Sequence, residues 1–307
     1  MDILAYFASL NPMNLASALP GNIAQGVIWG IMALGVYITF RLLDFADLTV
    51  DGSFATGGAV TVVLVLAGVP APAALLAAVL AGMLAGLVTG LLHTLLGIPG
   101  ILAGILTQIS LWSVNLLILD GANKAVNVGK YALVVSLRNV GSSIVVALCI
   151  AAVLVVLLYW YFGTEQGSAI RATGANPNMV RAQGIHTDTT LILGLMISNA
   201  LVGISGSLIA QSQNYADLQM GTGSIVIGLA SMIIGEVLFG KRNFFLRFLS
   251  MVLGAITYRI IIALVLKMGM PSDDLKLFTA ITVVFALSLP KIKGLINGRL
   301  RPRKGGM

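Results

Sequence analysis

The chain has 307 residues, 58% of them hydrophobic and 9% charged, with a mean hydropathy of +1.00 and a net charge of +7. Soluble domains carry about 25% charged residues, so this composition excludes an ordinary soluble domain and indicates an integral membrane protein. The single Cys149 and two distant histidines, His93 and His186, exclude a disulfide framework and a Cys/His metal site.

The opening stretch MDILAYFASLNPMNLASALPGN has no Lys or Arg and lacks the positive start of a secretory signal. Residues 1–20 are read as an extracytoplasmic or interfacial segment, followed by a transmembrane region over 21–290. From Gly52 to Leu119 there is no Asp, Glu, Lys or Arg, which is room for about three passes of roughly 20 residues each. Lipid demands that the backbone be satisfied internally, and strand-like alternation is absent, so the spans are helices. They are predicted at roughly 21–40, 52–68, 72–93, 99–119, 141–162, 188–210, 220–239, 245–267 and 274–290. The fold class is therefore all-α: a polytopic bundle of about 8–10 transmembrane or re-entrant helices, some broken.

Two stretches interrupt the apolar runs. LGIPGILAG (96–104) reads as a re-entrant turn or tight hairpin, and QNYADLQMGTGS (213–224) precedes a short segment. Broken helices in a membrane line a cavity or are covered by protein. Gly82, Gly86 and Gly90 recur at four-residue spacing, as do Gly26 and Gly30, a pattern that lets helices approach closely.

The basic tail KIKGLINGRLRPRKGGM (291–307) belongs in the cytoplasm by the positive-inside rule. Threading back from it places Arg41, the 163–187 loop and GKRNFFLR (240–247) on the same side, with the N-terminus outside. The outer loop with Lys124, Lys130 and Arg138 runs against this bias. Because the positive residues collect at span ends and in the tail, the net charge is no sign of nucleic-acid binding.

Within the 163–187 loop the chain reads ATGANPNMVRAQGIHTD (172–188). Asn176 is a good N-cap, Pro177 suits the first helical position and Gly184 is placed to stop the helix. So short a helix is marginal alone in water, and docking on a partner would stabilise it. An ordinary connector at the lipid surface is the plainer alternative.

Intramembrane charges are expensive, at about 2.5–3.5 kcal/mol near a helix centre. Glu236 is expected to pair with Lys241 or Arg242. Asp44, Asp47 and Asp51 cluster with Arg41; they either serve the second helix, with Asp51 or Thr49 as its N-cap, or act in gating. Arg259 needs a partner, for which Asp217 and Asp273 are the acidic candidates. Asp47, Asp51, Ser53, Gln108, Asn115, Asn199 and Gln211 are the candidate pathway or gate residues; such polar groups either line a pathway or bond neighbouring helices. GEVLFGKR (235–242) nearly spells a phosphate-binding loop, but Arg242 stands where Ser or Thr would hold magnesium, and the element ends an apolar span. No cofactor is expected on this chain.

Three blocks in order resemble the permeases of ATP-binding cassette importers of the branched-chain amino acid and ribose type: LLDFADLTVDGSFATGGAV (42–60), GSAIRATGANPNMVRAQGIHTDTTLILGLMISNALVGISGSLIAQ (167–211) and MGTGSIVIGLASMIIGEVLFGKRNF (220–244). Ala182, Gly184 and Ile185 fit the core of the family's loop element, and Leu201 to Gly206 fit its Gly/Ser-rich span. The likeness covers roughly residues 20–290 and is greatest to bacterial permeases paired with amino-acid binding proteins, some of them for aromatic amino acids. The resemblance implies two permease subunits, taken as a homodimer in the bacterial inner membrane, and two cytoplasmic ATPase subunits that carry ATP and Mg. It also implies an extracytoplasmic solute-binding protein. The 176–184 helix would then be the coupling helix. Asn176 and Pro177 would start it, Met179 and Val180 would pack into the ATPase groove, and Arg181 would bond at the rim. Gln183 and Gly184 would close it, and Arg171 would sit at the membrane–loop junction. Two departures stand out. The extra N-terminal span of sugar-type relatives is missing, and Asp44, Asp47 and Asp51 replace a polar Asn–Phe–Ala–His run, so solute specificity does not carry over.

Two rivals remain on the sequence. An ion-gradient-driven secondary transporter predicts carboxylates near the bilayer midplane and an inverted repeat of broken helices, whereas the acidic residues here sit mostly near span ends. A membrane-embedded enzyme needs a catalytic constellation, and His93 alone among apolar residues is a poor start for one.

Overall fold

The helix Thr187–Gln213 is the axis of the molecule: 19 of its residues are buried, many of them Ser, Gly or Asn. The computed structural model describes residues 12–127, 131–136, 140–240 and 243–267, with isolated helical positions at 277, 280, 281, 284 and 288. The expected 274–290 span, the 291–307 tail, Lys241, Arg242 and Asp273 lie outside the described residues or at their edge.

In chain order the elements are α1 (Pro12–Tyr37), a π-helical turn (Ile38–Leu42), α2 (Val50–Leu66), α3 (Ala71–Thr94), α4 (Gly100–Leu119), β1 (Asn123–Ala125), α5 (Val140–Gly163), α6 (Glu165–Ala175), α7 (Pro177–Ala182), α8 (Thr187–Gln213), β2 (Tyr215–Asp217), α9 (Ser224–Phe239) and α10 (Phe244–Lys267). Among the described residues six helices are long and apolar enough to cross a membrane: those spanning Leu19–Leu42, Ala71–Thr94, Gly100–Leu119, Val140–Gly163, Thr187–Gln213 and Phe244–Leu264. Helices α2 and α9 are apolar but shorter. The helical membrane bundle expected from composition is thus observed, and the chain is a multi-pass membrane protein.

Packing is the reverse of a soluble domain's. On α3 the large residues Leu76, Leu80, Leu84 and Val88 point outward, while Ala74, Ala78, Gly82, Ala85 and Gly86 are buried. Lipid is as apolar as leucine, so association is driven by close packing of small residues rather than by hiding large ones. The four-residue glycine spacing has this cause: a Cβ at Gly82, Gly86 or Gly90 would collide with Asn199, Leu195 or Ile192 of α8. Gly26 and Gly30 of α1 meet Ile256 and Val252 of α10 in the same way.

Serines of α8 bond the backbones and side chains around it. Ser198 Oγ donates to Gly35 O and Ser205 Oγ to Ile28 O, both at 2.8 Å. Thr61 Oγ1 of α2 donates to Ser207 Oγ at 2.6 Å. Each such bond meets a polar group that lipid would leave unsatisfied. The interruption at 213–224 has a specific shape: Tyr215–Asp217 pairs antiparallel with Asn123–Ala125, Asn123 opposite Asp217.

Several expectations are corrected. The apolar span expected at 21–40 is found at Leu19–Leu42, but α1 itself starts earlier, at Pro12, and runs through Pro20. The 163–187 loop contains two helices rather than one; α6 was missed because its residues are polar overall, although Thr164 caps it by accepting from Gly167 N at 3.4 Å. Glu236 pairs with Arg41, Nε–Oε1 at 3.3 Å; its expected pairing with Lys241 or Arg242 falls outside the described residues and is not overturned by this contact. Arg259 finds no acidic partner among the described residues: its Nη2 donates to Gln25 Oε1 at 2.5 Å and its guanidinium lies over Trp29. Asp217 is therefore not its partner, and Asp273 lies outside the described residues.

Candidate functional site

Asn176 ends α6 and starts α7. Its backbone is extended (φ −159°, ψ 93°), and its side chain accepts from Met179 N at 3.1 Å. Pro177 follows at the first helical position, where its missing N–H costs nothing. The other end closes with Gly184 at φ +82°, where Gly184 N donates to Arg181 O at 3.0 Å and Ile185 N to Val180 O at 3.2 Å. That pair of bonds is the Schellman arrangement, and the positive φ favours glycine. Both ends of a two-turn helix are therefore satisfied locally.

The faces of α7 differ. Met179 is 48% exposed and Val180 is fully buried in its own chain. Val180 is thus an anchor of the loop, which corrects the expectation that it enters a partner's groove; Met179 is the apolar side chain left outward. Arg181 Nε donates to Thr187 Oγ1 at 2.7 Å, and its Nη2 lies 3.5 Å from Asp188. Those bonds hold α7 against the start of α8. Gln183 is exposed at the C-cap. Arg171 sits in α6, donates to Ser168 Oγ at 3.1 Å and stacks over Phe244 at 4.9 Å. Beside α7 is an open groove of about 670 Å³, whose wall includes Asp44, Phe45, Thr94, Pro177 and Arg181.

The seven candidate pathway residues separate into two groups. Asp47, Ser53 and Asn199 form a closed network. Ser53 Oγ donates to Asn199 Oδ1 at 2.6 Å, Asn199 Nδ2 to Asp47 Oδ2 at 2.7 Å and Thr49 N to Asp47 Oδ1 at 2.9 Å. All four residues are fully buried. Gln211 accepts from Val134 N at 2.9 Å and so ties the 131–136 segment to α8. The first three bond neighbouring helices, Gln211 bonds a connecting segment, and none of the four lines the cleft described next.

Asp51, Gln108 and Asn115 line an open cleft of about 500 Å³, together with Trp112, Leu218 and Thr222. Asp51 caps a helix, but not the expected one. Its carboxylate accepts from Gly223 N at 2.8 Å, Ser224 Oγ at 2.8 Å and Ile225 N at 2.9 Å, which closes the start of α9. Thr49 stands at the N-cap of α2 without a side-chain capping bond. The N-termini of the two short helices thus meet at one carboxylate, where an anion is favoured.

Sequence reasoning missed Trp112, Thr222 and a hydroxyl chain, Thr49–Thr89–Thr107, with oxygens 2.6 and 2.9 Å apart. No local signal distinguishes these from other span residues. His93 is accounted for structurally: Nδ1 lies 2.7 Å from Ile98 O and the ring packs edge-on against Phe45. Among the described residues no group of His, Cys, Asp or Glu could hold a metal ion.

Residues 21–288 match the family described as "Branched-chain amino acid transport system / permease component". A "Tyrosine transport system permease protein" of Clostridioides difficile (strain R20291) is 39% identical over 89% of this chain and 91% of that protein. An uncharacterised protein of Rickettsia prowazekii (strain Madrid E) is 30% identical over 88% of this chain and 97% of its own length. Among solved structures, "PsaBC from Streptococcus pneumoniae in complex with Fab" gives a TM-score of 0.42 at 16% identity, covering 82% of this chain and 95% of that one. With its bundle of apolar helices and a family match over most of its length, the chain belongs to the permease components of branched-chain amino acid transport systems, the membrane-spanning part of an ATP-binding cassette transporter.

Proposed function

We propose that this chain forms the translocation pathway of an importer for an amino acid, with an aromatic one such as tyrosine as the solute. Separate cytoplasmic ATPase subunits, carrying ATP and Mg, would drive it through α7. The observation that carries this reading is the construction of α7. It is capped at both ends, Val180 is anchored inward and Met179 is left exposed. A short helix held rigid by its own protein and offering an unpartnered apolar side chain suits the transfer of a rigid-body movement from a partner. Arg41, Arg171 and Arg181 gather toward the α7 end, which supports a cytoplasmic position for that end and for the C-terminal tail. The solute class is supported by the family and by the 39% identical tyrosine permease. The rest of the assembly follows the same reading: a second copy of this chain and an extracytoplasmic binding protein, in a bacterial inner membrane.

The test is a pull-down from detergent-solubilised membranes, comparing wild type with a chain whose 176–184 segment is replaced by Gly and Ser. An ATPase subunit, identified by mass, should co-purify with wild type and be lost with the variant. Its absence from both would overturn the reading and make ion-gradient-driven uptake the next assay.

A further inference from the structure

The cleft beside α4 contains an unmet polar group. Asn115 is 1% exposed, yet neither its Oδ1 nor its Nδ2 has a hydrogen-bond partner among the described residues. Buried polar groups are almost always paired, because leaving one unmet forfeits its bonds to water. Every other polar residue from the candidate pathway set has a bonded partner or an exposed face, so Asn115 stands apart. It faces the cleft of about 500 Å³.

The walls restrict what can fill that space. A carboxamide offers both donors and an acceptor, so the occupant should present an acceptor and a donor. Gln108 adds a second carboxamide to the wall. Asp51 is the one formal charge among the described residues of the lining. Three donors occupy its carboxylate, out of about four lone-pair sites, which leaves capacity for one more donor. Among the described residues no Lys or Arg lines the cleft, so they offer no counter-charge to an occupant with net negative charge. Trp112 and Leu218 supply a flat aromatic and an aliphatic surface. The volume is ample for one small solute.

We propose that this cleft holds the solute in transit, and that the solute is a zwitterionic α-amino acid with a flat, apolar side chain. Its carboxylate accepts from the amides of Asn115 and Gln108. Its ammonium donates to Asn115 Oδ1 and to the remaining acceptor site on Asp51. Its side chain lies against Trp112 and Leu218. This deepens the importer reading given above and rests on it.

The experiment uses membrane vesicles containing the permease with its ATPase and binding protein. Ser113, an exposed residue on the cleft wall, is changed in a Ser113→Cys, Cys149→Ala chain, and its reaction with a water-soluble thiol reagent is timed. L-Phenylalanine should slow the reaction, whereas phenethylamine, which lacks the carboxylate, should not. Adding Asn115→Leu should raise the phenylalanine concentration for half-protection by at least about tenfold, as loss of a hydrogen bond to a charged group implies. The rate without ligand and the co-purification of the ATPase should stay unchanged. Asn115→Ala, which empties the position, should act in the same direction and guards against a folding defect specific to leucine. Equal protection by phenethylamine, protection indifferent to Asn115, or no protection at all would overturn the site. Tyrosine uptake by wild type in the same vesicles separates the two readings. Uptake without protection sinks the site alone, and absence of uptake sinks the amino-acid importer and the site together.

Discussion

Asp51 and Ser224 lie 173 positions apart, yet the Asp51 carboxylate accepts the Ser224 hydroxyl at 2.8 Å and two backbone N–H groups beside it. A residue in the first turn of α2 therefore closes the first turn of α9. This contact joins the two short apolar helices of the bundle, at the edge of the cleft that contains Asn115.

Removing that carboxylate should loosen the junction. Asp51→Ala deletes three acceptor contacts and is expected to cost about 1–3 kcal/mol, the range for unmet donors and lost helix caps. Asp51→Asn keeps an acceptor oxygen and should cost less. Thermal denaturation in detergent, followed by aggregation, gives the order: wild type most stable, then Asn, then Ala. A midpoint for Asp51→Ala equal to wild type would show that α9 starts without this cap.

The Asp47–Asn199–Ser53 network should behave as structure rather than as pathway. Asn199→Leu leaves the fully buried Asp47 without its side-chain donor and Ser53 without its acceptor. Each buried polar group left without its partner costs about 1–3 kcal/mol. The expected result is a large loss of folded protein in the membrane, seen as a loss of monodisperse material in size-exclusion chromatography. Normal yield with altered solute selectivity would instead assign these residues to the pathway.

The two faces of α3 should respond in opposite ways. Gly86→Leu pushes a side chain into the Leu195 backbone of α8 and should destabilise by about 1–3 kcal/mol or more through overpacking. Leu84→Ala, on the outward row at 60% exposure, should change stability by less than about 0.5 kcal/mol. Comparable effects of the two changes would contradict the packing of α3 on α8.

Helix α7 supplies a third contrast. Val180→Ala empties a fully buried position and should lower stability by about 1–2 kcal/mol. Met179→Glu sits on the exposed face and should leave stability intact while weakening retention of the ATPase in a pull-down. Should Met179→Glu retain the ATPase as well as wild type does, the exposed face of α7 is not the contact.

Much of this was legible in the sequence wherever the cause is local. The absence of charge from Gly52 to Leu119 dictates helices, because lipid offers the backbone no other partner. Asn176, Pro177 and Gly184 announce α7 because capping bonds reach only three to five residues. The glycine spacing of α3 announces close packing, though not that α8 is the helix packed against it.

What the tertiary structure decided is which distant residues meet. Asn199 and Asp47 are 152 positions apart, and nothing in either neighbourhood marks them as partners. Glu236 faces Arg41, and Arg259 faces Gln25 and Trp29, because helix rotation rather than chain proximity sets the pairing. The same rotation turns Val180 inward and Met179 outward, although both are apolar and adjacent. It also sorts the polar span residues, placing Asn199 inside a satisfied network and Asn115 against a cleft with its amide unmet. Composition and periodicity fix that a residue lies in a membrane helix; only the packing of all the helices fixes what each polar side chain faces.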